Sequence, residues 1–276
     1  MGAVTTFEDE RGRLFGLAYR LLGSAVDAED VLQDAFLRWH AAKGVRQAGP
    51  WLTKTVTNLC LNRLSSAWAR RVRPEEELPE PVLTAADPLE TVALRESVSL
   101  ALLAVLQRLT PAERAVFVLR EAFGYEYPEV AGLLEVSEAN ARQLHSRAKR
   151  RVAVDENRFA ATDSAHLAES FLAAARSGDL GALEKLLTED VRTWMDAGPG
   201  RRRRTSGRGD VPVEVLARFV TEHRVAEVNG TTALLFLNDG KLLGVTTVLA
   251  RDGRIAALYT VADPAKLAYA QRQLAS

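Results

Sequence analysis

A single cysteine, Cys60, in 276 residues removes an internal disulfide and any cysteine-based zinc site. Four scattered histidines form no ligand cluster, so no metal and no other cofactor is expected. Charge of one sign is lacking too. Lys plus Arg and Asp plus Glu stand at 36 each, so no global field draws the chain to nucleic acid or to an anionic membrane, and any such attraction has to be local. No apolar run approaches the roughly 18 residues of a membrane span, and the first residues lack a basic segment followed by an apolar one. A reducing, cytoplasmic setting with no membrane partner is the expectation. At roughly 100–200 residues per domain, the length fits two domains, or three where small helical units are among them.

From Leu14 to Arg71 apolar residues recur at helical spacing, without alternating runs. The helix predicted over Asp27 to His40 places Ala28, Val31, Leu32, Ala35, Phe36 and Trp39 on one face, after Gly23 as a stop and Ser24 as a cap. Its opposite face carries Glu29, Asp30, Gln33, Asp34 and Arg38. Farther on, "WLTKTVTNLCLNRL" aligns Trp51, Thr55, Asn58 and Asn62 at helical spacing, a row of amides and an aromatic suited to splayed bases. Arg63, Arg70, Arg71 and Arg73 follow as candidate phosphate contacts. Taken alone, the Trp51 row reads equally well as core and ordinary surface.

"RPEEELPEPVLTAADP" holds four of the ten prolines and four glutamates, which stops helix and predicts an extended linker. A second helical unit runs from about Glu96 to Val152, with Thr110 as N-cap, Pro111 at the first helical position, Glu113 completing a capping box and Gly124 as the stop. A short helix from Pro128, a tight turn at Glu135 and Val136, and a helix capped by Ser137 give helix-turn-helix spacing. On that last helix Ala141, Leu144, Ala148 and Val152 form a stripe with His145 at its edge, and Arg142, Gln143, Ser146, Arg147, Lys149 and Arg150 take the other face. No carboxylate follows Glu138 until Asp155, which leaves these cations without intrahelical partners and available to phosphates and base edges.

After Asp163 two helices (His166 to Arg176, Leu180 to Leu187) precede alternating runs joined by Asn229-Gly230, Asp239-Gly240 and Asp252-Gly253, an antiparallel meander interrupted by a short helix around Val213 to Val220. This third part is predicted as α+β, a curved antiparallel sheet wrapped against helices.

In order and spacing, "AYRLLGSAVDAEDVLQDAFLRWH", "PWLTKTVTNLCLNRL" and "LTPAERAVFVLREAFGYEYPEVAGLLEVSEANARQLHSRAKRR" resemble the two conserved domains of bacterial extracytoplasmic-function sigma factors. "LPEPV" together with the third part resembles the subgroup whose sigma factor is fused to a SnoaL-like domain; "DAGPGR" stands where that subgroup has a glycine-rich stretch, with Pro199 as a departure. The resemblance implies a multidomain chain: a region 2 domain over 1–73, a linker over 74–95, a region 4 helix-turn-helix domain over 96–158 and a SnoaL-like cone over 159–276. It implies core RNA polymerase and promoter DNA as partners. Asp30, Gln33 and Asp34 fall at the polymerase contact. Trp51, Asn58 and Asn62, with Arg63, Arg70 and Arg71 beside them, fall at the -10 element, and Arg142, Gln143, Ser146 and Arg147, with Lys149 and Arg150, at the -35 element.

Glu75, Glu76, Glu77 and Glu80 oppose Arg201, Arg202, Arg203 and Arg204 in sign, so the third domain is expected to grip the linker intramolecularly, with upstream DNA as the other destination for the arginines. Two other readings stay open. A one-component helix-turn-helix repressor with a ligand-sensing domain uses Arg142 and Arg147 but leaves the Asp30 and Trp51 faces idle. A SnoaL-like enzyme fused to a DNA-binding module would use Asp196 or His223 as acid or base, yet the sequence places no second polar group beside either, so no catalytic residue and no enzyme is expected. Nothing in the sequence specifies a small-molecule ligand for the third domain.

Overall fold

The computed structural model describes residues 3–70, 77–84, 99–156, 165–211 and 222–275. The chain divides into two compact units: Met1–Glu75 with Val92–Glu96 and Leu103–Val154, and Glu76–Thr91 with Ser97–Leu102 and Asp155–Ser276.

The first unit opens with α1 (Ala3–Leu22), α2 (Ala25–Ala41) and α3 (Ala48–Arg70). Gly23, at φ 72°, ends α1, and the Ser24 hydroxyl accepts the Asp27 N–H at 3.0 Å, so one Gly-Ser pair stops a helix and starts the next. Leu14, Leu17 and Leu21 of α1, Val31 and Leu32 of α2, and Leu52 and Val56 of α3 are buried between them; each such side chain contributes about 1.5–3 kcal/mol of transfer free energy. Cys60 is buried in α3, and burial pushes its thiol well above the usual range, so it stays a packed, unreactive group.

The unit continues with α4 (Leu100–Leu106), whose first three residues belong to the second unit, and with α5 (Pro111–Phe117), α6 (Tyr127–Leu134) and α7 (Glu138–Glu156). Thr110 and Glu113 make the expected capping box. Beyond it the helix does not run unbroken to Gly124: Val118–Ala122 widens into a π-helical turn, which the periodicity of the sequence could not register. The α5–α7 lobe packs on the first three helices through the Arg114 guanidinium, which donates to the Leu21 carbonyl at 2.7 Å, and through Arg13, which donates to Thr53 Oγ1 at 2.9 Å and to the Tyr125 hydroxyl at 3.3 Å.

In the second unit α8 (Ala165–Ser177) and α9 (Leu180–Leu186) lead into a six-stranded sheet of β1 (Leu187–Asp196), β2 (Arg202–Ser206), β3 (Glu222–Val228), β4 (Thr231–Asn238), β5 (Lys241–Arg251) and β6 (Arg254–Val261), ordered β2-β1-β6-β5-β4-β3. Asn229-Gly230, Asp239-Gly240 and Asp252-Gly253 all sit at positive φ, the backbone that tight hairpins with matching twist require. The expected antiparallel meander is therefore present in β3 to β6, but the sheet as a whole is mixed, because β1 pairs parallel to β6. The β1–β2 hairpin fills one edge, and the chain then crosses to the other edge before returning strand by strand to lie beside β1. Register shifts in three of the pairings bend the sheet.

One face of the sheet buries Val191, Leu234, Phe236, Val248 and Leu258 against Phe171 and Leu172 of α8 and Leu183 of α9. Leu249 and Ala257 meet Ala101, at the start of α4, in a second cluster. The helix expected around Val213 to Val220 falls outside the described residues. A helix that the sequence reading missed, α10 (Pro264–Ala275), closes the chain; Asp263 ahead of Pro264 was its signal, and the Asp263 carboxylate accepts the Ala265 N–H at 3.0 Å.

Candidate nucleic-acid interface and linker clasp

Burial divides α2 as the sequence proposed. Ala28, Val31, Leu32 and Ala35 are inside, and Asp30, Gln33 and Asp34 are exposed. Arg63 of α3 reaches that acidic row, 2.8 Å from Asp27, 3.6 Å from Asp30 and 4.0 Å from Asp34. The -10 candidate Arg63 is thus tied to the polymerase candidates, in a surface network of modest strength.

Along α3, Trp51 is half-buried with its ring 5.6 Å from that of Trp39; Asn58 is half-buried and Asn62 exposed. Thr55 turns inward to the helix, its hydroxyl donating to the Trp51 carbonyl at 2.9 Å. Trp51, Asn58 and Asn62 share the less buried side of α3, whereas the Arg70 side chain, Arg71 and Arg73 lie outside the described residues.

The turn between α6 and α7 is made by Glu135 at φ 55°, with the Val136 N–H donating to the Ala131 carbonyl at 3.1 Å and the Ser137 hydroxyl accepting the Asn140 N–H at 3.2 Å. Arg142, Gln143, Ser146, Arg147, Lys149 and Arg150 are all exposed on α7; Ala141, Ala148 and Val152 of the expected stripe are buried, Leu144 is half-buried, and His145, expected at the edge, is buried. Contrary to the expectation from the sequence, Arg142 has an intrahelical partner, Glu138 one turn earlier, since an i,i+4 carboxylate can lie before a cation as well as after it. Lys149 is also paired, 3.3 Å from Glu121 of the π-helical turn.

In the second unit, residues 77–84 of the linker are bound along their length. Buried Asp196, at the end of β1, receives the Leu78 N–H at 2.9 Å and the Lys266 ammonium at 2.7 Å on Oδ2, and the Gly198 N–H at 3.1 Å and the Arg202 guanidinium at 3.2 Å on Oδ1. Burial by itself would raise this carboxyl's pKa, but Lys266 and the Leu78 and Gly198 N–H groups outweigh it and hold the pKa below the usual carboxylate value. Lys266 also donates to the Leu78 carbonyl at 2.7 Å. Two turns along α10, Gln273 pairs with both backbone groups of Leu83, at 2.9 and 3.1 Å. At the sheet's far edge Asn229 does the same for Val82, while the Thr84 N–H donates to the Glu227 carbonyl. Leu78, Val82 and Leu83 are buried.

Of the oppositely charged segments, Glu77 meets Arg202 at 3.1 Å, with Lys266 at 3.8 Å. Glu75 and Glu76 lie outside the described residues; Glu80 is half-buried; Arg201 and Arg203 are exposed, and Arg204 lies over the Trp194 ring at 3.7 Å. The clasp is therefore chiefly backbone recognition by Asp196, Asn229, Lys266 and Gln273, residues the charge pattern did not reveal. An Asx-rich hairpin turn and the Asp-Pro helix start were the signals that could have pointed to Asn229 and Lys266. Asp196 and His223 are not brought together, for His223 lies on β3, at the opposite edge from the β1–β2 hairpin. Among the described residues no group of His, Cys, Asp and Glu could hold a metal ion.

Comparison with known proteins matches Sigma-70 region 2 over residues 6–70 and Sigma-70 region 4 over residues 99–152. The chain is 36% identical to the ECF RNA polymerase sigma factor SigJ of Mycobacterium tuberculosis, covering 95% of this chain and 92% of the relative. It is 32% identical to the probable ECF RNA polymerase sigma factor SigI of that species, covering 93% and 92%. The crystal structure of M. tuberculosis SigJ superposes with a TM-score of 0.76 at 33% identity, over 96% of this chain and 98% of that one. With both sigma regions matched in order and similarity extending through the SnoaL-like domain, the chain belongs to the extracytoplasmic-function RNA polymerase sigma factors.

Proposed function

We propose that this sigma factor docks on core RNA polymerase through Asp30, Gln33 and Asp34, opens and reads the -10 element with the Trp51, Asn58 and Asn62 row, and reads the -35 element with Arg142, Gln143, Ser146 and Arg147. Lys149 and Arg150 hold the phosphate backbone. The functional divisions are residues 1–73 for region 2, 74–95 for the linker, 96–158 for region 4 and 159–276 for the SnoaL-like domain. The observation that carries this reading is the division of α7, which exposes every candidate reading residue while Ala141, Ala148 and Val152 of its apolar stripe are buried.

The SnoaL-like domain acts as a regulator, not a catalyst. Asp196, the acid–base candidate, already receives four donors on its two oxygens, which commits it to holding the linker. Because the linker joins the -10 and -35 readers, a domain that grips it sets their separation and thereby couples its own state to promoter recognition. No described helix is long and apolar enough to cross a membrane. Incubating the full-length protein with core polymerase, then testing co-purification and run-off transcription on genomic templates, decides the reading: specific new starts support it, and unchanged core transcription refutes it.

A further inference from the structure

At the centre of α7 lies a polar chain, buried at His145, half-buried at Tyr127 and exposed at Glu121, that the promoter-reading assignment does not use. His145 is 5% exposed. Its Nδ1 is 2.8 Å from the Tyr127 hydroxyl of α6, and its Nε2 is 2.8 Å from Glu121 Oε1 in the π-helical turn. A carboxylate has no proton to give, so Nε2–H donates to Glu121; in the neutral ring Nδ1 then accepts the Tyr127 O–H. Both ends of the chain touch cations. The Tyr127 ring carries the guanidinium of Arg120 at 4.3 Å and that of Arg142 at 4.9 Å, and Glu121 holds Lys149 at 3.3 Å. Phe117 of α5 flanks the imidazole at 6.3 Å.

We propose that Tyr127, His145 and Glu121 form a positioning unit that aims Arg142 and Lys149 of the recognition helix, with uncharged His145 as its working state. The proposal rests on the reading of α7 as the -35 helix. Mechanically, the tyrosine face fixes where Arg142 points, the imidazole locks α6 and the π-helical turn to α7, and Glu121 fixes Lys149. Protonating His145 would convert Nδ1 from acceptor to donor, so the Tyr127 hydroxyl would have to turn. It would also place a cation among Arg120, Arg142 and Lys149; among the described residues Glu121 is the carboxylate bonded to the ring, while Glu126 and Glu138 are already paired with Arg120 and Arg142. Aim is lost while net attraction to phosphates rises, so discrimination falls even where non-specific binding grows. Burial of the ring, opposed by its bond to Glu121, lowers the His145 pKa and keeps the neutral form at neutral pH.

The test uses holoenzyme reconstituted from core polymerase and the full chain, and reads the ratio of affinities for an intact and a base-substituted -35 element from about pH 5.5 to 7.5, the range in which histidines titrate. Isotope labelling of the histidine rings follows the His145 midpoint, assigned by its loss in His145→Gln. Wild type should lose discrimination as pH falls through that midpoint. His145→Gln, whose amide can donate to Glu121 and accept from Tyr127, should keep the neutral-pH ratio throughout. Tyr127→Phe retains the ring but loses the hydroxyl that ties it to His145, so it should lower the neutral-pH ratio less than Tyr127→Leu does and should raise the midpoint, since the neutral imidazole loses its donor. Tyr127→Leu should lower the ratio about two- to fivefold at every pH. A His145→Gln protein with wild-type pH dependence, or a Tyr127→Phe protein with an unmoved midpoint, overturns the proposal even where Tyr127→Leu fails to fold. Arg142→Ala separates the two claims: an unchanged ratio there refutes the reading of α7, whereas the midpoint in Tyr127→Phe judges the positioning unit independently.

Discussion

The Lys266 ammonium stands 2.7 Å from Asp196 Oδ2 and 2.7 Å from the Leu78 carbonyl, while the Leu78 N–H donates to the same Asp196 oxygen. One ion pair from the second unit thus satisfies both backbone groups of a single buried linker residue. Gln273 with Leu83 and Asn229 with Val82 repeat the arrangement. A buried backbone group costs free energy unless paired, so three two-point contacts specify where this extended segment lies without depending on its side chains.

Replacing Asp196 by Asn should therefore release the linker. The change leaves Lys266 facing a neutral amide in a largely buried site and puts an N–H where donors already point, a loss of about 3 kcal/mol by analogy with broken buried pairs. Limited proteolysis should then cut near Leu78 faster than in wild type, with a lower unfolding midpoint; equal cleavage rates would contradict the clasp.

Acid should act in the same direction. The Asp196 carboxyl titrates below its ordinary value, so its stabilising effect is fully present above the unfolded pKa of about 3.9 and is lost as pH falls through the lower, folded one. Stability measured between about pH 2 and 5 should consequently fall more steeply in wild type than in Asp196→Asn. Parallel curves would remove Asp196 from the account.

Much of the first unit was legible because its signals are local. Thr110 and Glu113 lie three residues apart in one capping box, the Ala28-to-Ala35 stripe repeats every three or four residues, and the Ser137 cap is within one turn of its partner. The clasp was not legible in the same way: Leu78 and Asp196 are 118 residues apart, and Leu83 and Gln273 are 190 apart. Neither periodicity nor composition encodes such pairings, and the charge pattern picked out Glu77 and Arg202 while missing the polar residues that grip the backbone. The parallel pairing of β1 with β6 was hidden for the same reason, since strand order depends on where the chain crosses the sheet.

On α2, Asp30→Ala with Gln33→Ala should weaken core polymerase binding about tenfold, equivalent to ~1.4 kcal/mol. Both side chains are exposed opposite the buried stripe, so thermal stability should stay within about 0.5 kcal/mol of wild type. A titration of labelled sigma factor with core polymerase checks this, and an unchanged affinity refutes the assignment.

On α7, Arg147→Ala and Arg142→Ala should each cost about 1–3 kcal/mol against an intact -35 element and much less against an altered one. Lys149→Ala should weaken all sequences alike and reduce the salt dependence. Equal losses for all three in holoenzyme binding would make the arginines phosphate contacts.

The most direct measurement is run-off transcription by core polymerase with charge-swapped Glu77 and Arg202, which stand 3.1 Å apart between linker and SnoaL-like domain. If the domain sets sigma activity by gripping the linker, R202E should change transcript yield because it breaks the contacts to both Glu77 and buried Asp196, and E77R should change it in the same direction; the double mutant recovers at most the Glu77 part, since the new carboxylate still faces Asp196. R202E and E77R proteins that both transcribe as wild type does would contradict that account.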